Sequence, residues 1–285
     1  MHDSPTVRVL RFGFRTWPFE RGRGWLLRLS RALLHEPVVY HVGQRTRIET
    51  GLAEWMSRWT FMCLHEQDES FQHSLDLLRP GSVAVDVGAN VGVWSLLAVE
   101  RRPGVRVHAF EPVSAVAAQL RRHIALNGLD TIVANVVAVA AEDGTARFFV
   151  NHTTNTGASS LFHRPIPSVE ISVPVVTLDS YLAQAGVDRV DVLKVDVEGA
   201  EIYVFKGARR LLSSEDAPAV FFEIDARLCA AAGTTTTEVK QLLIDYGYGV
   251  FRRRGGAFVR VGLDEPHGHE DLFALKPRHL AGRGA

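Results

Sequence analysis

The 285-residue chain is poor in cysteine, in net charge and in long apolar runs. Its two cysteines, Cys63 and Cys229, give neither a disulfide framework nor a zinc-ligand spacing, so a cytoplasmic location with reduced thiols is expected. Thirty-two basic residues balance 32 acidic ones, which excludes whole-molecule attraction to nucleic acid. No stretch approaches the roughly 18 uninterrupted apolar residues of a membrane span. Trp25 to Leu34 comes nearest, but Arg28 and Arg31 interrupt it, and it starts too late and is too polar for a secretory signal. Internal repeats and low-complexity tracts are also missing. The expected partners therefore exclude nucleic acid and membrane. The oligomeric state is left open, with a dimer allowed.

What is present is one sharp feature, Ser82 to Gly92. Val83 to Val87 is an apolar, β-branched run carrying Asp86, followed by Gly88; Gly92 then opens a helical pattern through Val93, Leu96 and Leu97. Strand, tight turn and helix place backbone N–H groups and a carboxylate at the carboxyl end of a sheet strand, where ligands bind in α/β folds. The next strand, Val105 to Phe110, ends in Glu111-Pro112, where an acid can take both hydroxyls of a ribose. The pattern predicts an adenosine-containing cofactor.

The glycine spacing selects among such cofactors. A pyrophosphate needs the bare backbone of G-x-G-x-x-G. Here Gly88 and Gly92 stand four apart with Asn90 between them, and Asp86 would repel a phosphate while suiting an ammonium group. S-adenosylmethionine fits better than NAD. An NAD-dependent oxidoreductase and a non-catalytic cofactor-binding scaffold remain the alternative readings.

Before Pro80-Gly81 there is no βα rhythm. Short strands (Val7 to Phe12, Pro37 to Val42, Arg47 to Glu49) and helical pieces (Trp25 to Leu34, Ser70 to Leu78) are expected there. The arginines of this segment, Arg8, Arg11, Arg15, Arg21, Arg23, Arg28 and Arg31, read as a solvated face of an N-terminal appendage rather than a nucleic-acid or lipid patch. After Gly81 strands and helices alternate. A helix is expected from Ser114 as N-cap to Leu126, and a strand from Ile132 to Val139. A hairpin turn at Glu142 to Thr145 should lead into Ala146 to Val150, with the polar stretch 151–160 as a mobile lid. Strands Val173–Val176, Val190–Val195 and Ala219–Ile224 follow, with one helix over Glu198 to Leu212. A capping box at Thr235 and Glu238 opens a helix to Tyr246, and antiparallel strands run to Leu275.

Val85-Asp-Val-Gly-Ala-Asn-Val-Gly92, Phe110-Glu-Pro112 and Leu193-Lys-Val-Asp-Val-Glu-Gly-Ala-Glu201 together resemble FkbM-type S-adenosylmethionine-dependent methyltransferases. The third motif is the most specific, and the likeness runs from about Val39 to Lys276. It implies an α/β fold of class I methyltransferase type, a Rossmann-like seven-stranded sheet with the last strand antiparallel. The chain would divide into a small appendage (1–78) and a cofactor-binding domain (79–285). It also implies O-methylation of a small hydroxylated molecule, a sugar or a natural-product alcohol. Carried over by position, Asp86, Gly88, Ala89 and Asn90 would surround the methionine part, Glu111 would hold the ribose, and Gly92 would belong to the cofactor-binding turn. Pro112, Val139 and Ala140 would border the adenine, with Glu142 or Asp143 accepting from its amino group.

An alkyl hydroxyl is a poor nucleophile, so a general base or a divalent metal such as magnesium should assist it. Asp196 ends a core strand and Glu198 and Glu201 begin the next helix, where the dipole favours carboxylates. Asp196 and Glu198 are the expected catalytic acids; Glu201 reads as a helix cap. Glu223, an acid inside the apolar run Val220 to Ile224, could face Asp196. Lys194, buried by pattern, should pair with a carboxylate. His152 and His163 flank the polar loop as further candidate bases.

Overall fold

The computed structural model describes residues 3–16, 23–151, 159–163 and 166–281. Helices α1 (Pro5–Thr16) and α2 (Arg23–Leu33) precede a two-stranded ladder, β1 (Val38–His41) with β2 (Arg47–Thr50), and three short helices, α3 (Trp55–Phe61), α4 (Leu64–Gln67) and α5 (Glu69–Asp76). The strand expected at Val7 to Phe12 is thus part of a helix. Val7, Leu10, Arg11 and Phe14 are its buried positions, a spacing of 3, 1 and 3 that matches the helical repeat and not alternation.

The alternating core follows as β3 (Val83–Val87), α6 (Val93–Arg101), β4 (Arg106–Phe110), α7 (Ser114–Leu126) and β5 (Ile132–Asn135). Val113, not Ser114, is the N-cap of α7, and it has no side-chain bond there. Next come β6 (Ala138–Val139), β7 (Gly144–Asn151), β8 (Ser168–Val176), α8 (Leu178–Gln184) and β9 (Val192–Val195). The chain continues through α9 (Glu201–Lys206), α10 (Arg209–Ser213), β10 (Ala219–Asp225), α11 (Ala226–Ala231) and α12 (Thr236–Asp245), then β11 (Gly249–Arg254), β12 (Ala257–Arg260), β13 (His269–Leu275) and α13 (Pro277–Leu280).

The large sheet has eight strands in the order β12-β11-β13-β10-β9-β3-β4-β5. β5, β4, β3, β9 and β10 are parallel; β13 inserts antiparallel between β10 and β11. This is the expected class I methyltransferase sheet, with β12 added as an eighth strand at the edge. The order reverses between β4 and β9, on either side of β3, which is the switch point where α/β sheets bind ligands.

Three further expectations are corrected. Residues 132–139 do not form one strand: β5 ends at Asn135 and β6 leaves for a separate three-stranded sheet, β6-β8-β7. The turn at Glu142 to Thr145 therefore does not fold β7 back on the preceding strand; β7 pairs antiparallel with β8 from Gly144↔Val175 to Asn151↔Ser168. The helix over Glu198 to Leu212 is two helices. Gly207 separates them, where a Cβ would lie 2.0 Å from the Ala140 carbonyl oxygen. The capping box at Thr235 and Glu238 forms as expected. Of the stretch 151–160 expected as a lid, residues 152–158 lie outside the described residues.

One face of the sheet and the N-terminal segment share a single apolar cluster, in which Val7, Phe14, Tyr40 and Phe61 pack with Ala84, Val107 and Phe273. The other face is packed by α8, α9, α10 and α12 through Leu178, Phe205, Leu212 and Leu243. The carboxyl ends of the parallel strands open between these layers.

Candidate active site

A cavity of about 510 Å3 opens at those strand ends, within the range of roughly 300–1,000 Å3 usual for small-molecule sites. Its wall begins with the turn after β3. Gly88 and Asn90 both take positive φ, 78° and 51°, which bends the chain tightly at the strand end. Gly88 cannot carry a side chain, because a Cβ would lie 1.8 Å from the backbone oxygen of Asp196. Gly88 and Ala89 donate to the Phe110 carbonyl, locking the turn onto the end of β4.

Glu111 follows directly. Its carboxylate accepts from the Asn90 and Val113 N–H groups at 3.1 and 2.9 Å. Burial pushes its carboxyl up to about 7, against the lowering effect of those two hydrogen bonds. Around it the wall is apolar: Phe110, Pro112, Val137, Val139, Phe148 and Leu161. Asp196 and Glu198, which follow β9, and Glu223, in β10, line the same cavity on the other side of β3 from Glu111, with Arg227 and His269. One end is thus an apolar slot with a single deep carboxylate, the other a polar, mostly acidic rim.

A smaller chamber of about 230 Å3 adjoins this rim, walled by Trp55, Trp59, Phe71 and Trp94. Asp196, Glu223 and His269 belong to both chambers. Glu198 has a left-handed φ of 57° and precedes α9 instead of beginning it, so the helix-dipole argument does not apply to it. Non-glycine residues in this region are strained and concentrate at functional sites. Glu201 does start the helix, and its Oε1 accepts from the Val197 and Gly199 N–H groups, which fixes the loop as a cap.

The acids interact strongly. Burial is the first cause pushing the Glu223 carboxyl up to about 10; the charges of Asp196, Glu198, Asp271 and Glu201 add to it. Asp271 is pushed up to about 8, again by burial first and then by Asp68 and Asp196. Lys194 sits 3.1 Å from Asp86 and 3.4 Å from Asp196, and donates to the Gly88 carbonyl. Burial alone would lower its pKa, but the two carboxylates more than offset that and hold it charged.

Several predicted positions lie elsewhere. Asp86 is fully buried, held by Lys194 and by the Ser95 hydroxyl at 2.7 Å, and is not on the cavity wall. Ala89 lines the smaller chamber. Gly92 caps α6 and packs on Leu120. Ala140 donates to the Val176 carbonyl and abuts Gly207. Glu142 is exposed, and Asp143 accepts from the Thr177 N–H and the Ser180 hydroxyl, so neither acid reaches the cavity. His163 is exposed and stacks edge-on against Phe149; His152 lies outside the described residues. Among the described residues no group of three or more His, Cys, Asp or Glu is arranged to hold a metal ion.

His269, Asp271, Trp55 and Arg227 were not legible in the sequence as site residues. His269 and Asp271 reach the site because β13 pairs with β10 in a register that sets them opposite Asp225 and Glu223.

The family description that matches this chain is the Methyltransferase FkbM domain, over residues 86–250. The 31-O-demethyl-FK506 methyltransferase FkbM of Streptomyces tacrolimicus is 32% identical over 168 residues, 48% of this chain and 62% of that protein. The 2-O-methyltransferase NoeI of Sinorhizobium fredii is 26% identical over 151 residues, 48% of this chain and 61% of that protein. The chain thus spans about six tenths of the length of these curated relatives. Among solved structures, a precorrin-6y C5,15-methyltransferase from Geobacter metallireducens aligns with a TM-score of 0.42 at 14% identity, covering 72% of this chain and 87% of that one.

Proposed function

Since the chain belongs to the FkbM methyltransferase domain family, we propose that it is an S-adenosylmethionine-dependent O-methyltransferase acting on a hydroxyl of a small molecule, a sugar or a natural-product alcohol. The observation that carries this is the polarity of the cavity: Glu111 deep in an apolar slot at one end, Asp196, Glu198 and Glu223 at the other. The slot fits a nucleoside. Pro112, Val139 and Phe148 offer apolar faces to a flat base, and Glu111 is placed to accept from ribose hydroxyls. The turn at Gly88 lets a ligand lie against bare backbone. The activities for which two relatives are named, transfer to a demethylated 31-oxygen and to a 2-oxygen, support oxygen as the acceptor atom.

When bound, S-adenosylmethionine supplies the electrophilic methyl group. The chain supplies alignment and a place for the acceptor's proton. The acidic rim orients the acceptor hydroxyl by hydrogen bonds, and Asp196 or Glu198 takes up the proton as the oxygen attacks; Glu223, held protonated, donates a hydrogen bond instead. The aromatic walls of the smaller chamber keep water from that end. We place the enzyme in the cytoplasm, where its two buried free thiols stay reduced.

The test is a screen of glycosides and natural-product alcohols with methyl-labelled S-adenosylmethionine, joined to calorimetry with S-adenosylhomocysteine and NAD. Label in an ether product and heat from the S-adenosyl ligand alone are the expected results. Heat from NAD with none from S-adenosylhomocysteine overturns the reading.

A further inference from the structure

The outer surface of the first two helices is basic and apolar at once. α1 and α2 carry six arginines, Arg8, Arg11, Arg15, Arg23, Arg28 and Arg31, and not one acid. α1 is anchored by one face. Phe14 meets the Phe61 ring edge-on, and the Arg11 guanidinium lies 4.8 Å from the centre of the Tyr40 ring. α2 leans on α1 where Leu26 meets Gly13. The remaining surface is apolar and basic at once. Val9 is 70% exposed, Phe12 66%, Trp25 60% and Leu33 55%, and Arg8, Arg28 and Arg31 are exposed among them.

Single exposed apolar residues are ordinary. Four large ones on two adjacent helices, interleaved with arginines that no acid of those helices offsets, ask for a partner that takes both. A second copy meeting this face symmetrically would set arginine against arginine. A nucleic acid would use the arginines and stack on Phe12 or Trp25, but it has nothing to place against Val9 and Leu33. A lipid surface takes all of them: the headgroup–acyl boundary accepts Trp, Phe, Leu and Val, and lipid phosphates accept guanidinium groups.

We propose that α1 and α2 dock the protein on a membrane surface rich in anionic lipid, with Val9, Phe12, Trp25 and Leu33 entering the interface and Arg8, Arg28 and Arg31 taking lipid phosphates. The attachment is peripheral, since no helix among the described residues is long and apolar enough to cross a bilayer. It stands independently of the proposed chemistry. Arg15 contributes less than the others, because it is already bound to Glu66 at 2.9 Å.

Flotation of the full chain with vesicles tests this. Binding is expected to vesicles containing phosphatidylglycerol, weakening as salt is raised, and not to pure phosphatidylcholine. The double variants Phe12→Glu/Trp25→Glu and Arg28→Glu/Arg31→Glu should each lose roughly tenfold or more of that binding. All four residues are exposed, so circular dichroism and thermal unfolding should match the wild type. Equal binding to neutral vesicles overturns the proposal, as does no binding to either kind or full binding by both variants. So does the finding that this face binds single-stranded RNA, or forms a dimer that Phe12→Glu dissolves, while vesicles are ignored.

Discussion

Glu223 and Asp271 stand directly opposite each other in the antiparallel register of β10 and β13. Both side chains are largely withdrawn from water, the first cause raising them, and the charge of Asp196 next to Glu223 and of Asp68 next to Asp271 comes second. The result is an acid pair held well above the ordinary carboxylate range, at about 10 and about 8. It lies at the end of the sheet where the two chambers meet, which is where a strongly perturbed acid marks a working site.

The first prediction concerns pH. Unfolded, both carboxyls ionise near 4, whereas the folded state keeps protons on them up to about 8 and 10. The folded state therefore binds more protons, and stability is lost as pH rises from about 4 through 8. Glu223→Gln/Asp271→Asn removes this loss. Its melting temperature minus that of the wild type should grow steadily from pH 5 to pH 8, by about 2–4 °C for each kcal/mol relieved. Scanning calorimetry at the two pH values checks it; a difference that does not change with pH contradicts the assignment.

Glu111→Gln should weaken S-adenosylhomocysteine binding roughly 10- to 100-fold, the equivalent of about 1.5–3 kcal/mol for a charged hydrogen bond. Glu111→Ala should also destabilise the fold, since the Asn90 and Val113 N–H groups would lose their acceptor. Isothermal titration separates the two effects. Undiminished affinity in a folded Gln variant removes Glu111 from the binding role.

Lys194→Met leaves the fully buried Asp86 without its counter-charge. Breaking a buried pair from one side costs about 3–5 kcal/mol. Adding Asp86→Asn should recover a large part of that loss, because the stranded charge is then gone. Urea denaturation of the two single variants and the double gives the coupling, and additive effects would argue against it.

Asp196→Asn and Glu198→Gln should each lower turnover roughly 10²–10⁴-fold if these acids orient the acceptor and receive its proton. S-adenosylhomocysteine affinity should fall much less, and a chelator separates a pure base mechanism, which is indifferent to it, from a metal-assisted one, which loses turnover and regains it with magnesium. Near-normal turnover in both variants would shift the proton-accepting role to His269, whose Nδ1 lies 3.4 Å from Glu223.

The sequence by itself determined the central part of this molecule. The β-branched run at Val83 to Val87, the turn at Gly88, the acid at Glu111 and the motif from Leu193 to Glu201 are local patterns. Periodicity, turn chemistry and strand ends are legible without knowing what lies across the sheet, so the cavity's two ends could be read directly. The tertiary structure decided the rest. Asp86 looks like a ligand-facing acid until β9 brings Lys194 against it. His269 and Asp271 look like a polar strand start until β13 inserts beside β10, and a register shift of one residue would turn both to the other face. The short run Val7 to Phe12 suits a strand as well as a helix, and docking on Tyr40 and Phe61 settles it. Each of these depends on residues far apart in the chain, and only long-range packing sets which of them meet.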